Sequence, residues 1–136
     1  MARKDDQGAN LDRLQMIKGW VDRNGQSHEK VFDILASGGR KIDSGTGKLS
    51  PVGSTVDLGN ASYENTIGAE RLFVYWQDPE FDASVEAFYY ARALEIPTPR
   101  WSTYDAVRLG IEPMEPAVIQ ERAIGSPIWY SPSRPE

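Results

Sequence analysis

The chain has 136 residues, of which 40% are hydrophobic, 10% aromatic and 26% charged, so it has the material for one core-forming domain and is not a disordered polymer. Its formal charge of −5 and pI near 4.9 come without a basic stripe, which argues against nucleic acid, whose phosphates are held by clustered Lys and Arg. The absence of cysteine excludes disulfides, thiolate catalysis, iron–sulfur clusters and cysteine zinc sites together, and leaves the redox compartment open.

Residues 1–10 are polar and aperiodic and read as a disordered lead-in. They turn acidic where a signal peptide would become apolar, so no export address is expected in this chain. From Leu14 to Val21 the apolar residues alternate with a strand period, with Leu14, Met16 and Trp20 on one side and Ile17 and Val21 on the other. Asn24-Gly25 then predicts a hairpin turn, with a returning strand from Gln26 to Leu35. Between Ala36 and Gly53 the chain is rich in Gly, Ser, Lys and Asp and reads as a long surface loop, of the kind that is functional or packed on a neighbour.

Leu72 to Trp76 reads as a buried strand ended by a turn at Asp78 to Asp82, and its length is far below the ~18 residues of a membrane span. Residues 83–96 fit both periods: Tyr89-Tyr90 favours a strand and the alanines a helix. Pro97-Thr98-Pro99 ends that element, and Ser102 or Thr103 can cap a short helix running to Leu109, with Gly110 closing it. Val118 to Ile124 and Ile128 to Tyr130 read as an edge strand kinked at Gly125-Ser126-Pro127. There is no internal repeat. The expected architecture is mainly β, an antiparallel β-sandwich-like module over residues 11–132 with one short inserted helix at about 102–109, followed by a tail at 133–136.

Three patterns invite a chemical reading. Gly47-Lys48 has Ile42 and Leu49 where a phosphate loop needs glycine and a hydroxyl residue. Asp78, Glu80 and Asp82 alternate like the opening of a calcium loop, but Ala83 and Tyr89 stand where glycine and glutamate belong, so a solvated acidic turn outweighs a weak cation site built with outside ligands. His28-Glu29 holds the one histidine, too few for a multi-histidine hydrolytic centre, and reads as a partly exposed strand histidine. Ser126 lacks a nucleophile-elbow pattern, and the Asn60-Ala61-Ser62 sequon carries weight only on a secretory route. No metal ligands are assigned.

Two denser constellations remain: Glu95, Arg100, Trp101 and Tyr104 around the Pro-rich turn, and Glu121 with Arg122 ahead of the Ser126-Pro127-Ile128-Trp129-Tyr130 end. Arg beside Trp and Tyr can hold a carboxylate or phosphate while stacking on a ring, so Arg100, Trp101, Tyr104, Glu95 and Arg122 are the candidate ligand residues. The competing reading, aromatics packed in a core or interface with charges at their rim, carries more weight.

The phrases Leu14-Gln15-Met16-Ile17-Lys18-Gly19-Trp20, His28-Glu29-Lys30-Val31-Phe32-Asp33, Ala87 to Trp101 and Ser126-Pro127-Ile128-Trp129-Tyr130 together resemble the carboxy-terminal end of the domain-of-unknown-function 3604 family, over about Leu11 to Pro132. The resemblance implies a large, often exported bacterial protein with a PHP-like metallohydrolase body, whose histidines and acidic residues bind divalent metals outside this chain. It also implies that Ala87 to Ile96 is a strand of a β-sandwich beside that body, which decides the ambiguous segment. The expected role is a non-catalytic accessory domain or fragment of such a hydrolase, partnered with its body in cis or in trans. Arg100, Trp101 or Tyr104 would then reach the active-site rim, and an exposed apolar face is expected on the isolated chain. The alternative is a free-standing β-module that binds a small anionic or sugar-like ligand through the Arg–aromatic cluster.

Overall fold

The computed structural model describes residues 1–132; the expected tail at 133–136 lies outside them. Among the described residues the chain is mainly β, with antiparallel sheets and a single short helix, consistent with a β-sandwich-like module.

Its centre is a long hairpin, β2 (Leu11–Val21) with β3 (Ser27–Ala36), preceded by β1 (Ala2–Arg3). The turn forms where Asn24-Gly25 predicts it, but only Gly25 takes a positive φ, of 79°. The Asp22 N–H donates to the Gln26 carbonyl at 2.9 Å, and the Asp22 side chain accepts from the N–H groups of Asn24 and Gln26, so a side-chain cap holds the loop. After β4 (Arg71–Leu72), strand β5 (Ala87–Glu95) pairs with the other side of β2. Tertiary pairing thus resolves the segment with two periods as a strand.

Next come β6 (Thr98–Pro99), helix α1 (Trp101–Leu109) and β7 (Val118–Ile119), then β8 (Arg122–Ile124) and β9 (Ile128–Tyr130). The main sheet runs β3-β2-β5-β8, with β9 also on β5, so β8 and β9 share one edge interrupted at residues 125–127. The helix fills the loop of the β6–β7 ribbon. Arg100 occupies its N-cap with no side-chain cap bond, while Ser102 and Thr103 lie buried inside the first turn, and Thr103 donates its hydroxyl to the Ala117 carbonyl at 2.8 Å. Gly110, at φ 65°, ends the helix as the sequence predicts.

Alternation puts Leu14, Met16, Lys18 and Trp20 on the inner face of the sheet and Gln15, Ile17 and Gly19 on the outer face. Leu11, Leu14 and Leu72 form the buried cluster, with Ala2, Ile34, Leu35, Val74 and Ala93 against it. Two expectations are corrected here. Residues 1–10 are not a loose lead-in: β1 pairs with β4, and the buried Asn10 accepts no role as a linker, its amide donating to the carbonyls of Asn65 at 3.1 Å and Ile67 at 2.8 Å. Leu72 to Trp76 is not a buried strand: Leu72, Val74 and Trp76 turn towards the sheet while Phe73 and Tyr75 are exposed, because this segment covers one face and has water behind it.

A second feature organises the loops. Asp12 is the extra residue of a β-bulge in β2 opposite β5, and its carboxylate is fully buried. It pairs with Arg40 of the 36–53 loop, accepts from Arg13 Nε at 2.9 Å, and accepts from Gln120 Nε2 at 3.0 Å. Its backbone carbonyl accepts from the Ser37 N–H at 2.9 Å and from Arg40 Nη2 at 2.8 Å. Asp12→Ala leaves Arg13 and Arg40 without their shared anion, so it is expected to lower unfolding free energy by about 3–5 kcal/mol. Arg3→Ala, which breaks the exposed Arg3–Asp6 pair, should change it by less than about 1 kcal/mol. Urea denaturation of both variants checks the contrast.

Candidate functional site

The residues singled out by sequence occupy the helix end of the module. The Arg100 guanidinium stands 5.9 Å from the ring centroid of the exposed Trp101. Tyr104, one turn further along α1, is half-buried and close enough to Tyr63 to help raise its pKa, behind the larger effect of burial and ahead of Glu95. Glu95 ends β5 beside Leu11, and its carboxyl is also pushed up, first by burial, then by Glu121 and Asp5, against a smaller opposing pull from Lys4. Arg122 lies exposed on the edge strand, paired in register with Leu94. The structure therefore groups Glu95, Tyr104 and Tyr63, keeps Arg100 with Trp101, and sets Arg122 on β8.

The other sequence motifs separate. His28 stacks on Trp20, centroids 5.1 Å apart, and its Nε2 lies 2.9 Å from Asp22, while Glu29 points to the opposite face as the next residue of a strand. Asp78, Glu80 and Asp82 face different partners: Asp78 meets Lys18, Glu80 pairs with Lys30, and Asp82 accepts from the N–H and hydroxyl of Ser84. The loop at Gly47-Lys48 is closed by the Asp43 carboxylate, which accepts from the N–H groups of Gly45 and Thr46. Among the described residues no group of three or more His, Asp and Glu side chains is placed to hold a metal ion. Nor is any helix of these residues long and apolar enough to cross a membrane.

Sequence reasoning missed a buried charge on the inner face. Lys18, 6% exposed, donates to Asp78 Oδ2 at 2.6 Å and to the Glu80 carbonyl at 2.7 Å, with its Nζ 5.2 Å from the Trp20 ring centroid and 5.8 Å from that of Tyr89. Tyr89 donates its hydroxyl to the same Asp78 oxygen at 2.7 Å, and burial, followed by that bond, holds its proton on well above the usual tyrosine range. Lys18 and Tyr89, with Trp20 and Glu80, line a cleft of about 250 Å³. The signal was a lysine at the inward position between Met16 and Trp20 in an otherwise apolar alternation.

The same face is covered over only part of its width. Trp76 packs on Phe32, ring centroids 5.3 Å apart, so the covering segment reaches β3 and β2. Towards the β8 edge an apolar groove of about 470 Å³ remains, with Ala91, Ala93 and Ala123 among its small residues and Tyr75, Trp76 and Ile124 among its large ones. A second cleft of about 280 Å³ shares Met16 and Trp76 with it and extends to Phe81 and Ile128. Ile124 and Ile128 are 63% and 68% exposed.

Compared with known proteins, residues 1–132 match the family model described as "Protein of unknown function (DUF3604)". No curated protein and no solved structure matches the chain.

Two carboxylates are expected to respond to pH with opposite sign. Burial raises the Asp78 carboxyl, but bonds from Lys18 and Tyr89 outweigh it and leave the pKa below the ordinary 3.8. Its stabilisation is complete above that ordinary value and is lost as pH falls through the lowered one, so Asp78→Asn should weaken the fold at neutral pH and flatten the acid limb. Glu95 is raised, so its ionisation weakens the fold as pH climbs past the ordinary glutamate value. Glu95→Gln should stabilise the protein at neutral pH and lose that gain in acid. Denaturant midpoints measured between about pH 2 and pH 8 check both signs.

Proposed function

The chain belongs to the DUF3604 family, and from that membership we propose that it is a non-catalytic accessory β-module, the carboxy-terminal portion of a larger PHP-like metal-dependent hydrolase, docked on the catalytic body through the open part of its inner sheet face. The observation that carries this reading is the incomplete second layer. A β-sandwich buries an inner face along its whole width, with its two sheets about 10 Å apart. Here the covering segment reaches β3 and β2, and the groove beside Ala91, Ala93 and Ala123 is open to solvent. Small side chains let a second layer come close, and Ile124, Ile128 and Tyr75 supply apolar area at the rim, arranged as a contiguous patch rather than as scattered surface residues.

In this reading the body, of phosphoesterase type, supplies the divalent metal ligands and the chemistry. Arg100, Trp101 and Tyr104 are the side chains that the module lends to the rim of that active site, where guanidinium and ring together suit an anionic substrate group. Their position on an inserted helix, outside the main sheet, supports a role separate from the docking groove.

The test is titration calorimetry of the chain against the catalytic polypeptide of the same family. The wild-type chain is expected to bind, and the double variant Ile124→Asp/Ile128→Asp to bind at least about a hundredfold more weakly, because two apolar contacts are lost and two unpaired carboxylates are carried into the interface. Both side chains are exposed, so the variant should keep its thermal midpoint when alone. A wild-type chain that does not bind, or a double variant that binds equally well, would overturn the reading.

A further inference from the structure

The outer face of the sheet carries a corner that the docking reading does not use. Its rows follow from register: Trp129, Phe88, Gly19 and Glu29 lie side by side across four strands. Val21 is paired with Ser27 one row further out, and Glu86 lies two residues before Phe88, on the same face by alternation. The glycine makes the corner. A Cβ at Gly19 would stand 2.3 Å from Cζ of Phe88, so only glycine lets that ring lie across β2. Trp129 meets Phe88 with centroids 5.2 Å apart and planes at 48°, giving two aromatic walls that are not parallel.

These residues line a cleft of about 470 Å³, within the range of small-molecule sites, and Ser27, Glu29 and Glu86 are part of its lining. Trp129 is 72% exposed, so a hydrophobic core is not the reason for its place. Among the described residues Glu29 and Glu86 form no ion pair, whereas Asp12, Asp33, Asp78 and Glu80 each have a cationic partner. Two aromatic faces meeting at an angle beside unpaired carboxylates attract a cation whose own hydration is weak, through the ring quadrupoles and the negative charge together. The protein's net charge of −5 adds long-range attraction of the same sign. The chain already holds Lys18 against Trp20 and Tyr89 on the inner face by the same physics.

We propose that the corner formed by Phe88, Trp129, Glu29 and Glu86 over Gly19 is a binding site for small organic cations of the methylated-ammonium class. A methylated ammonium fits the chemistry because its methyl groups can rest on both rings while the carboxylates balance its charge. A neutral sugar would leave the charges unused, and a metal ion would need ligands in place of rings.

The experiment is titration of the full chain with choline, followed by nuclear magnetic resonance at the indole N–H of Trp129. A saturable shift is expected, weakened at least tenfold for the uncharged tert-butyl isostere of choline and again by added salt. With binding read by titration calorimetry, Trp129→Ala should abolish it and Glu29→Gln/Glu86→Gln should weaken it at least tenfold, the latter with an unchanged thermal midpoint because both glutamates are exposed. Phosphatidylcholine vesicles form a second arm: free choline binding without vesicle binding assigns a soluble ligand, and binding of both assigns a lipid headgroup. Equal affinity for the isostere, a preference for neutral sugars, or no shift at Trp129 would overturn the site. The docking groove lies on the opposite face, so either proposal can fail while the other stands.

Discussion

The long loop after β3 and the approach to the edge strand are both tied to the sheet through one buried anion. Asp12 belongs to β2, yet as a bulge residue it leaves the regular ladder. Its carboxylate and carbonyl together gather Arg13 from the same strand, Arg40 and Ser37 from the long loop, and Gln120 from the approach to β8. Gln120 also donates to the Glu95 carbonyl, so the end of β5 and the start of the edge strand meet at this hub. A loop with few apolar residues cannot hold itself by burial, and a charge without water must be paired. Those two requirements satisfy each other at Asp12. The weak point of such a hub is the anion itself, since without Asp12 the Arg40 guanidinium has no carboxylate partner among the described residues while Arg13 keeps only Asp33.

Lys18 performs a similar task on the inner face. Its ammonium fastens the covering turn at Asp78 and Glu80 to the middle of the sheet, and the rings of Trp20 and Tyr89 shield it. Because the fastening is polar and local, the cover is secured over β2 and β3 without needing a second full sheet. The same arrangement leaves the region towards β8 and β9 open. The sheet thus has a closed side, an open inner groove and, on its outer face, the aromatic corner at Gly19.

That geometry divides possible roles between surfaces. The inner groove is lined mainly by apolar side chains, a chemistry suited to another protein layer. The outer corner combines rings with carboxylates, a chemistry suited to a small cation. The helix end, with Arg100 on Trp101, has opposite charge preference.

The amino-acid sequence by itself determined the elements whose causes are local. Alternation over Leu14 to Val21 and the Asn24-Gly25 turn predict the hairpin, and Gly110 predicts the end of α1. Gly125-Ser126-Pro127 predicts the break in the edge strand, and four short phrases predict the family over nearly the whole chain. Tertiary structure decided whatever depends on partners distant in sequence. Residues 83–96 carry both periods, and pairing with β2 selects the strand. Residues 1–10 look like a free terminus until β4 and the Asn65 loop supply their bonds. Asp12, Lys18 and Gly19 look like ordinary strand residues, because the Arg40, Asp78 and Phe88 that give them meaning lie 28, 60 and 69 positions further along the chain. A buried charge or a close ring-to-backbone approach is a property of a pair, and only folding brings the pair together.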